Sequence, residues 1–288
     1  MMPERNHRTY EAEFAAFVRF VQFFCEVFSE KEPLAAADCR DSYKEYVPKY
    51  YRHIFGPGLE KLTPRHLKWF RRLSPLFALP KGATLLDYGG GYGMDSIFLA
   101  SLGYEVLFYE ITPHHIGIAK ALAARFGERF GVLNMRFVHA KNDPQPTMID
   151  AVMLDEVAHH IEPVERMFGT AADMLRPGGS LFLLEPNFLC PTVQLFFFRT
   201  RGFNVVDKRM DEETGEEYLW GNEHIRLVSD WTARARKFGF ELRSTDYIVP
   251  WLMRGTSAQP SALRRSLEAL PISRHLLGTH VTMRFAKA

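Results

Sequence analysis

The sequence predicts an α/β fold, a mostly parallel sheet covered by helices, and three observations carry that prediction. From Ala83 onward short apolar runs alternate with segments of helical periodicity. A glycine-rich loop follows the first run, and Asp87, Glu110, Asp155 and Glu185 stand at or just after the ends of four runs. Parallel neighbours need crossover connections, so such alternation is the mark of a parallel sheet. In open sheets of this kind ligands gather beyond the carboxyl ends of the strands, where these acids fall.

The elements follow in order. Residues from about Glu11 to Phe77 read as helices, because Phe14, Phe17, Val18, Val21 and Cys25 recur at helical spacing and Leu67, Phe70, Leu73 and Leu76 form a second stripe. Between them lie Tyr43, Tyr46, Tyr50 and Tyr51, which either cap the core or face a substrate. Residues 1–80 are therefore expected to form a helical lid that shields a polar reaction from water, and 81–288 the cofactor-binding domain. Within that domain the pattern gives strands at 83–86, 105–109, 135–139, 149–154 and 180–184, with helices at 95–102, 113–126 and 163–175. A Pro177-Gly178-Gly179 turn precedes the fifth strand. The rhythm then breaks over about 188–222, an insertion expected to select substrate, and resumes with a helix at 229–238 and strands at 240–247 and 280–285.

The 288 residues, 47% hydrophobic and 14% aromatic, suffice for one large core or a core with a subdomain. A formal charge of +2 gives no field that implies a nucleic-acid partner. Cys25, Cys39 and Cys190 are too few and scattered for a disulfide framework or a zinc finger, which suits a reducing cytoplasm. The apolar stretch from Phe14 to Phe28 is interrupted by Arg19 and Glu26 and falls short of the roughly 20 residues of a membrane span, so neither export nor insertion is expected.

The loop after the first strand separates the cofactor classes. Glycines there let the backbone turn and approach a ligand that a Cβ would obstruct. A dinucleotide fingerprint needs a glycine or alanine three positions after the second glycine, where this chain has Met94 or Ser96. No Gly-Lys-Ser/Thr follows, so a P-loop is excluded. What remains is D-x-G-x-G-x-G in Asp87, Gly89, Gly91 and Gly93, with Glu110 closing the next strand.

This resembles motif I of the class I S-adenosylmethionine-dependent methyltransferases, and the resemblance covers most of residues 80–288. The run LRPGGSLFLLEPN is similar to that family's late motif, and THVTMRFAKA to its final antiparallel strand. The resemblance implies a Rossmann-like sheet whose last strand is antiparallel, and S-adenosylmethionine as cofactor with S-adenosylhomocysteine as product. It places Glu110 on the ribose hydroxyls, Gly89 and Gly91 at the close approach, and Asp87, Gly90, Gly93, Ile111 and Asp155 along the same site. The family's Gly-Asp-Ala after the third strand is replaced here by His139-Ala140-Lys141-Asn142-Asp143, leaving Asn142 or Asp143 to hold the adenine.

Methyl transfer is an in-line displacement, so a hydroxyl acceptor needs alignment and removal of its proton. The segment VMLDEVAHHIEP offers Asp155, Glu156, His159 and His160, and histidine titrates near neutrality. His160 is the first candidate base, His159 the second, with Glu156 and His224 further candidates. Similarity to ubiquinone-pathway O-methyltransferases adds a metal alternative on Glu156, His159 and His160. Asn187, Arg226 and the four tyrosines are expected on the acceptor side, and Trp220, Trp251, Phe188 and Phe196-Phe197-Phe198 either line an apolar pocket or belong to the core.

The expected function is methylation of a small acceptor, preferably at a hydroxyl of a sugar, lipid-linked glycan or specialised metabolite. Carbon methylation of an apolar or isoprenoid acceptor is an alternative, and so is a protein that binds the cofactor without catalysis. No nucleic acid is expected, because Asp155-Glu156-Val157-Ala158 is not the Asn/Asp-Pro-Pro-Tyr/Phe of base amino methylation. Homo-oligomerisation is left open.

Overall fold

The computed structural model describes residues 7–56, 62–211, 215–250 and 262–288. Trp251 lies outside them. The chain resolves into two compact units, Met1–Gln145 and Pro146–Leu252 with Ser261–Ala288.

The first unit begins with three helices, α1 (His7–Ser29), α2 (Asp41–Tyr51) and α3 (Pro64–Leu73). Strand β1 (Thr84–Tyr88), helix α4 (Met94–Ser101), strand β2 (Glu105–Glu110), helix α5 (Pro113–Phe130) and strand β3 (Met135–His139) complete it. β1 pairs with β2 and β2 with β3, both in parallel. The N-terminal helices pack closely within this unit. Phe17 and Phe20 of α1 pack edge-on or tilted against Phe98 of α4 at 5.1 and 5.4 Å, and Phe24 stacks on Phe126 of α5 at 6.2 Å. These rings are almost wholly buried, so α1 shares one aromatic core with α4 and α5. Arg125 of α5 also donates to the Pro33 carbonyl at 2.9 Å.

The second unit runs β4 (Ile149–Asp155), a short 3₁₀ turn (Ala158–His160), α6 (Glu165–Met174), β5 (Leu175–Pro186), α7 (Pro191–Arg201), β6 (Asp207–Met210), β7 (Glu217–Trp220), α8 (Val228–Arg236), β8 (Phe240–Ile248), α9 (Ala262–Ala269), α10 (Pro271–Leu277) and β9 (His280–Lys287). β4 and β5 are parallel, while β9 runs antiparallel to both β5 and β8. The strand order of the seven-stranded sheet is β3-β2-β1-β4-β5-β9-β8, the mostly parallel arrangement with an antiparallel last strand that the sequence implied. The insertion is not irregular: it holds α7 and the β6–β7 hairpin. Phe197 is buried with Cys190, Val193 and Ile225, whereas Phe188, Phe196 and Phe198 are exposed. Among the described residues no helix is long and apolar enough to cross a membrane.

Candidate active site

In the first unit the loop between β1 and α4 makes its turn with Gly89, Gly91 and Gly93 at φ values of 75°, 55° and 80°. An L side chain rarely adopts these. Gly90 is needed for space instead, since a Cβ there would fall 2.6 Å from Phe108 and 2.9 Å from the Asp87 carboxyl. Asp87 is buried, accepts from the Ser96 hydroxyl at 2.7 Å, and is pushed up to about 8 by burial, with Asp95 and Glu110 adding to the shift. Its place is beneath the loop as a protonated anchor, which differs from the expected contact along the cofactor.

Glu110, at the end of β2, gathers the loop. Its Oε2 accepts from the Gly91 N–H at 3.0 Å, and its Oε1 from the N–H groups of Ile111 and Thr112 at 2.8 and 3.0 Å. Burial opposes its charge, but His115 and those backbone donors hold it below the usual carboxylate range. It is therefore ionised at neutral pH. The space over Gly91 is open, with nothing within 4 Å of where a Cβ would stand.

These residues fit the ribose end of S-adenosylmethionine: an unobstructed backbone beside an ionised acceptor. Three N–H donors occupy three of roughly four acceptor positions on the carboxylate. Glu110 keeps acceptor capacity for a ribose hydroxyl beyond these donors. Ile111 is half exposed beside it. Asn142 and Asp143 are exposed, and Asp143 accepts from the His139 N–H at 2.7 Å, closing the loop after β3.

In the second unit the candidates gather at the ends of β4 and β5. His159 is buried, with Nδ1 2.6 Å from Glu185 and Nε2 3.2 Å from Glu223. Burial opposes its charge, yet Glu185 and then Glu223 raise its pKa to about 10. Both nitrogens therefore carry protons held by carboxylates, and His159 has no lone pair to act as a base.

His160 differs. Its Nδ1 is 2.9 Å from the Gly221 carbonyl, which can only accept, so Nδ1 carries the proton and Nε2 the lone pair. Its ring stacks on Trp220 at 4.7 Å and 17°. Burial and the neighbouring His159 cation lower its pKa from 6.5, keeping it neutral.

The remaining candidates divide. Glu156 sits at φ 56°, 2.6 Å from His280 Nε2. Among the described residues the expected metal set of Glu156, His159 and His160 is not assembled; the group close enough to share a cation, within 4.8 Å, is His159, His160 and Glu223. His159 and Glu223 already satisfy each other as donor and acceptor, so the arrangement does not fit a metal, and no step is derived through one. Asp155 ends β4, partly buried.

Asn187 is spent on backbone, donating to the His275 and Gly278 carbonyls at 2.8 and 2.7 Å and accepting from Leu189 at 3.1 Å. Buried Arg226 pairs with Glu162, as does His224 Nδ1 at 2.7 Å. Asn187 and the terminal nitrogens of Arg226 thus spend these bonds on the protein itself. Of the tyrosines, Tyr51 is buried against Phe28 and Phe55 at 5.1 and 5.5 Å and belongs to the core. Glu185 and Glu223 were not assigned from sequence; nothing local to His159 signals partners so distant in the chain.

Gly221 tests the geometry around His160. A Cβ there would fall 2.3 Å from the His159 carbonyl, so the backbone must shift. With His160 in a catalytic role, Gly221→Ala is expected to lower kcat by about 10²-fold, the usual cost of an ångström's misplacement. Steady-state kinetics beside a thermal melt checks it.

A glycine cradle ending on an ionised strand-end carboxylate, on a seven-stranded sheet with an antiparallel last strand, defines the class I S-adenosylmethionine-dependent methyltransferase fold. The chain belongs to the family described as Methyltransferase domain, whose model matches residues 61–245. Family and fold imply S-adenosylmethionine as the cofactor. The chain is similar to a ubiquinone biosynthesis O-methyltransferase of Sinorhizobium fredii, 35% identical over 108 residues, which are 37% of this chain and 42% of the relative. It is 29% identical over 153 residues to the tRNA 5-carboxymethoxyuridine methyltransferase of Escherichia coli, covering 51% of this chain and 56% of that one. The matches thus span about half the length of the curated relatives. A solved S-adenosylmethionine-dependent methyltransferase from Thermotoga maritima shares the fold, with a TM-score of 0.52 and 15% identity over 85% of this chain and 98% of that one.

Proposed function

We propose that the protein transfers a methyl group from S-adenosylmethionine to a hydroxyl of a small acceptor, with His160 as the base. The observation that carries this reading is the tautomer of His160, which presents a neutral Nε2 beside a histidine that keeps its proton at neutral pH. Bound S-adenosylmethionine supplies an activated methyl on a sulfonium. The protein's own part is to seat the ribose on Glu110, keep the backbone open at Gly91, and take the acceptor proton at His160 Nε2. His159, clamped by Glu185 and Glu223, keeps that nitrogen basic only below neutrality, so it is free of protons at working pH. The stacked Trp220 ring holds the imidazole plane.

The similarity to a ubiquinone O-methyltransferase supports a hydroxyl acceptor. The similarity to a tRNA methyltransferase favours a second reading, an RNA nucleoside, and reopens the expectation of no nucleic-acid partner. Incubation with methyl-labelled S-adenosylmethionine against hydroxylated quinols, sugars and bulk tRNA separates the two. Label in a small hydroxylated product, lost in His160→Ala, is expected. Label in tRNA alone overturns the small-molecule reading.

A further inference from the structure

The β6–β7 hairpin is built against the histidine pair. Trp220 bridges to Ile161, the Gly221 N–H donates to the His160 carbonyl at 2.9 Å, and the His224 N–H donates to the His159 carbonyl at 3.1 Å. The register sets Asp207 opposite Trp220 and Arg209 opposite Tyr218. Cross-strand partners and alternate residues share a face, so these four side chains stand on one side of the hairpin, with Lys208 and Glu217 on the other. The first side meets His160, because Trp220 stacks on its ring. Arg209 lies over the same Trp220 ring, its guanidinium carbon 4.6 Å from the centre, and Tyr218 meets Trp220 edge-on at 6.4 Å. The guanidinium thus stands one aromatic ring away from the imidazole.

Other cations of this unit are neutralised within it. His159 is held by Glu185 and Glu223, Arg226 by Glu162, Arg234 by Asp230 and Glu165 at 3.0 and 2.6 Å, and Lys208 by Glu217 at 2.7 Å. Among the described residues Arg209 has no carboxylate partner, although it is exposed and Asp207 shares its face. Asp207 instead accepts from the Asn222 amide at 2.9 Å. A guanidinium resting on a ring keeps N–H donors at its edge, in the fork that matches a carboxylate or a phosphate.

Resting on the small-acceptor reading above, we propose that Arg209 binds an anionic group of the acceptor, so that the substrate is a hydroxylated carboxylate or phosphate. Trp220 joins the two ends of that recognition. Its ring touches both the imidazole that takes the hydroxyl proton and the guanidinium that holds the anion. A neutral acceptor leaves Arg209 unpaired and binds more weakly, so the insertion selects by charge.

The full chain, methyl-labelled S-adenosylmethionine and a metabolite extract filtered free of RNA and protein test this. After cation exchange removes unreacted donor, labelled product is expected to stay on an anion exchanger at neutral pH. Label in the unretained fraction overturns the proposal. Phosphatase treatment separates the two sources, releasing label held by a phosphate monoester and leaving a carboxylate bound; either result supports an anionic acceptor. With the retained material as acceptor, Arg209→Gln is expected to raise the apparent KM by about 10-fold or more with kcat within about threefold, the pattern of a lost charged contact. Arg209→Lys keeps the charge without the fork and is expected to recover part of the loss. An unchanged KM, or a fall in kcat alone, overturns the assignment, the latter because it marks a residue that merely steadies Trp220. Arg209 is exposed, and a thermal melt checks that both variants fold. No label in any small molecule is the failure of the small-acceptor reading and takes this proposal with it, a result distinct from label in an unretained product.

Discussion

His160→Ala is expected to lower kcat by about 10²- to 10⁴-fold, the usual worth of a positioned general base, with donor affinity unchanged. The size follows from the lack of a substitute: His159, its neighbour, donates from both nitrogens to Glu185 and Glu223. The pH dependence gives a second readout. A base must be neutral, and burial together with the His159 cation lowers the His160 pKa from 6.5. In the wild type kcat is therefore flat through neutrality and falls only as pH drops through that lowered value. His159→Gln removes the neighbouring charge, and the acid limb is expected to move to higher pH. Stopped-time assays across pH 4.5–9 measure both, and full turnover in His160→Ala contradicts the assignment. His159 also links stability to pH with the opposite sense. Its folded pKa of about 10 lies above the ordinary 6.5, so its stabilisation is complete below 6.5 and disappears as pH rises through 10.

Glu110→Ala is the second large effect, expected to weaken S-adenosylmethionine by at least about 100-fold and to lower the melting temperature. Hydrogen bonds to a charged group contribute about 1.5–3 kcal/mol each. Removing this carboxylate leaves the Gly91, Ile111 and Thr112 N–H groups without their acceptor, so the loop loses its shape and the ribose its partner. Glu110→Gln is expected to rescue little, because its amide nitrogen turns one acceptor into a donor facing N–H groups. Calorimetry well below the variant's melting temperature separates lost binding from unfolding, and unchanged affinity contradicts the role given to Glu110.

Where an element's pattern is local, it was readable in the chain. The strand 135–139 was expected with the bounds it has, and the helix from Pro113 differs only in continuing to Phe130. Pro177-Gly178-Gly179, read as a turn, lies instead within β5, whose strand begins at Leu175. The β6–β7 hairpin was invisible because it is exposed on both faces and shows no alternation of apolar residues. By compactness the chain divides after Gln145, and the N-terminal helices bury their phenylalanines against α4 and α5.

The site follows the same rule. The glycine loop and Glu110 were legible because a strand, a turn and the next strand place them in one continuous stretch. The partners that decide protonation are remote: Glu185 lies 26 residues from His159, and Gly221 61 residues from His160. Sequence ranked His160 ahead of His159 without sight of these partners, which hold His159 as a cation and leave the His160 Nε2 without a proton. Asn187 and Arg226 were expected on the acceptor side, Arg226 from a His-x-Arg resemblance, and the contacts they make, with the His275 and Gly278 carbonyls and with Glu162, come from segments far along the chain.

The central claim is that this glycine loop and Glu110 read a methyl donor rather than a dinucleotide. Titrating the wild-type protein with S-adenosylhomocysteine, and in parallel with NAD, tests it most directly. One saturable site for S-adenosylhomocysteine, unaffected by excess NAD, is the result expected. Absence of S-adenosylhomocysteine binding, or displacement of it by NAD, contradicts the account.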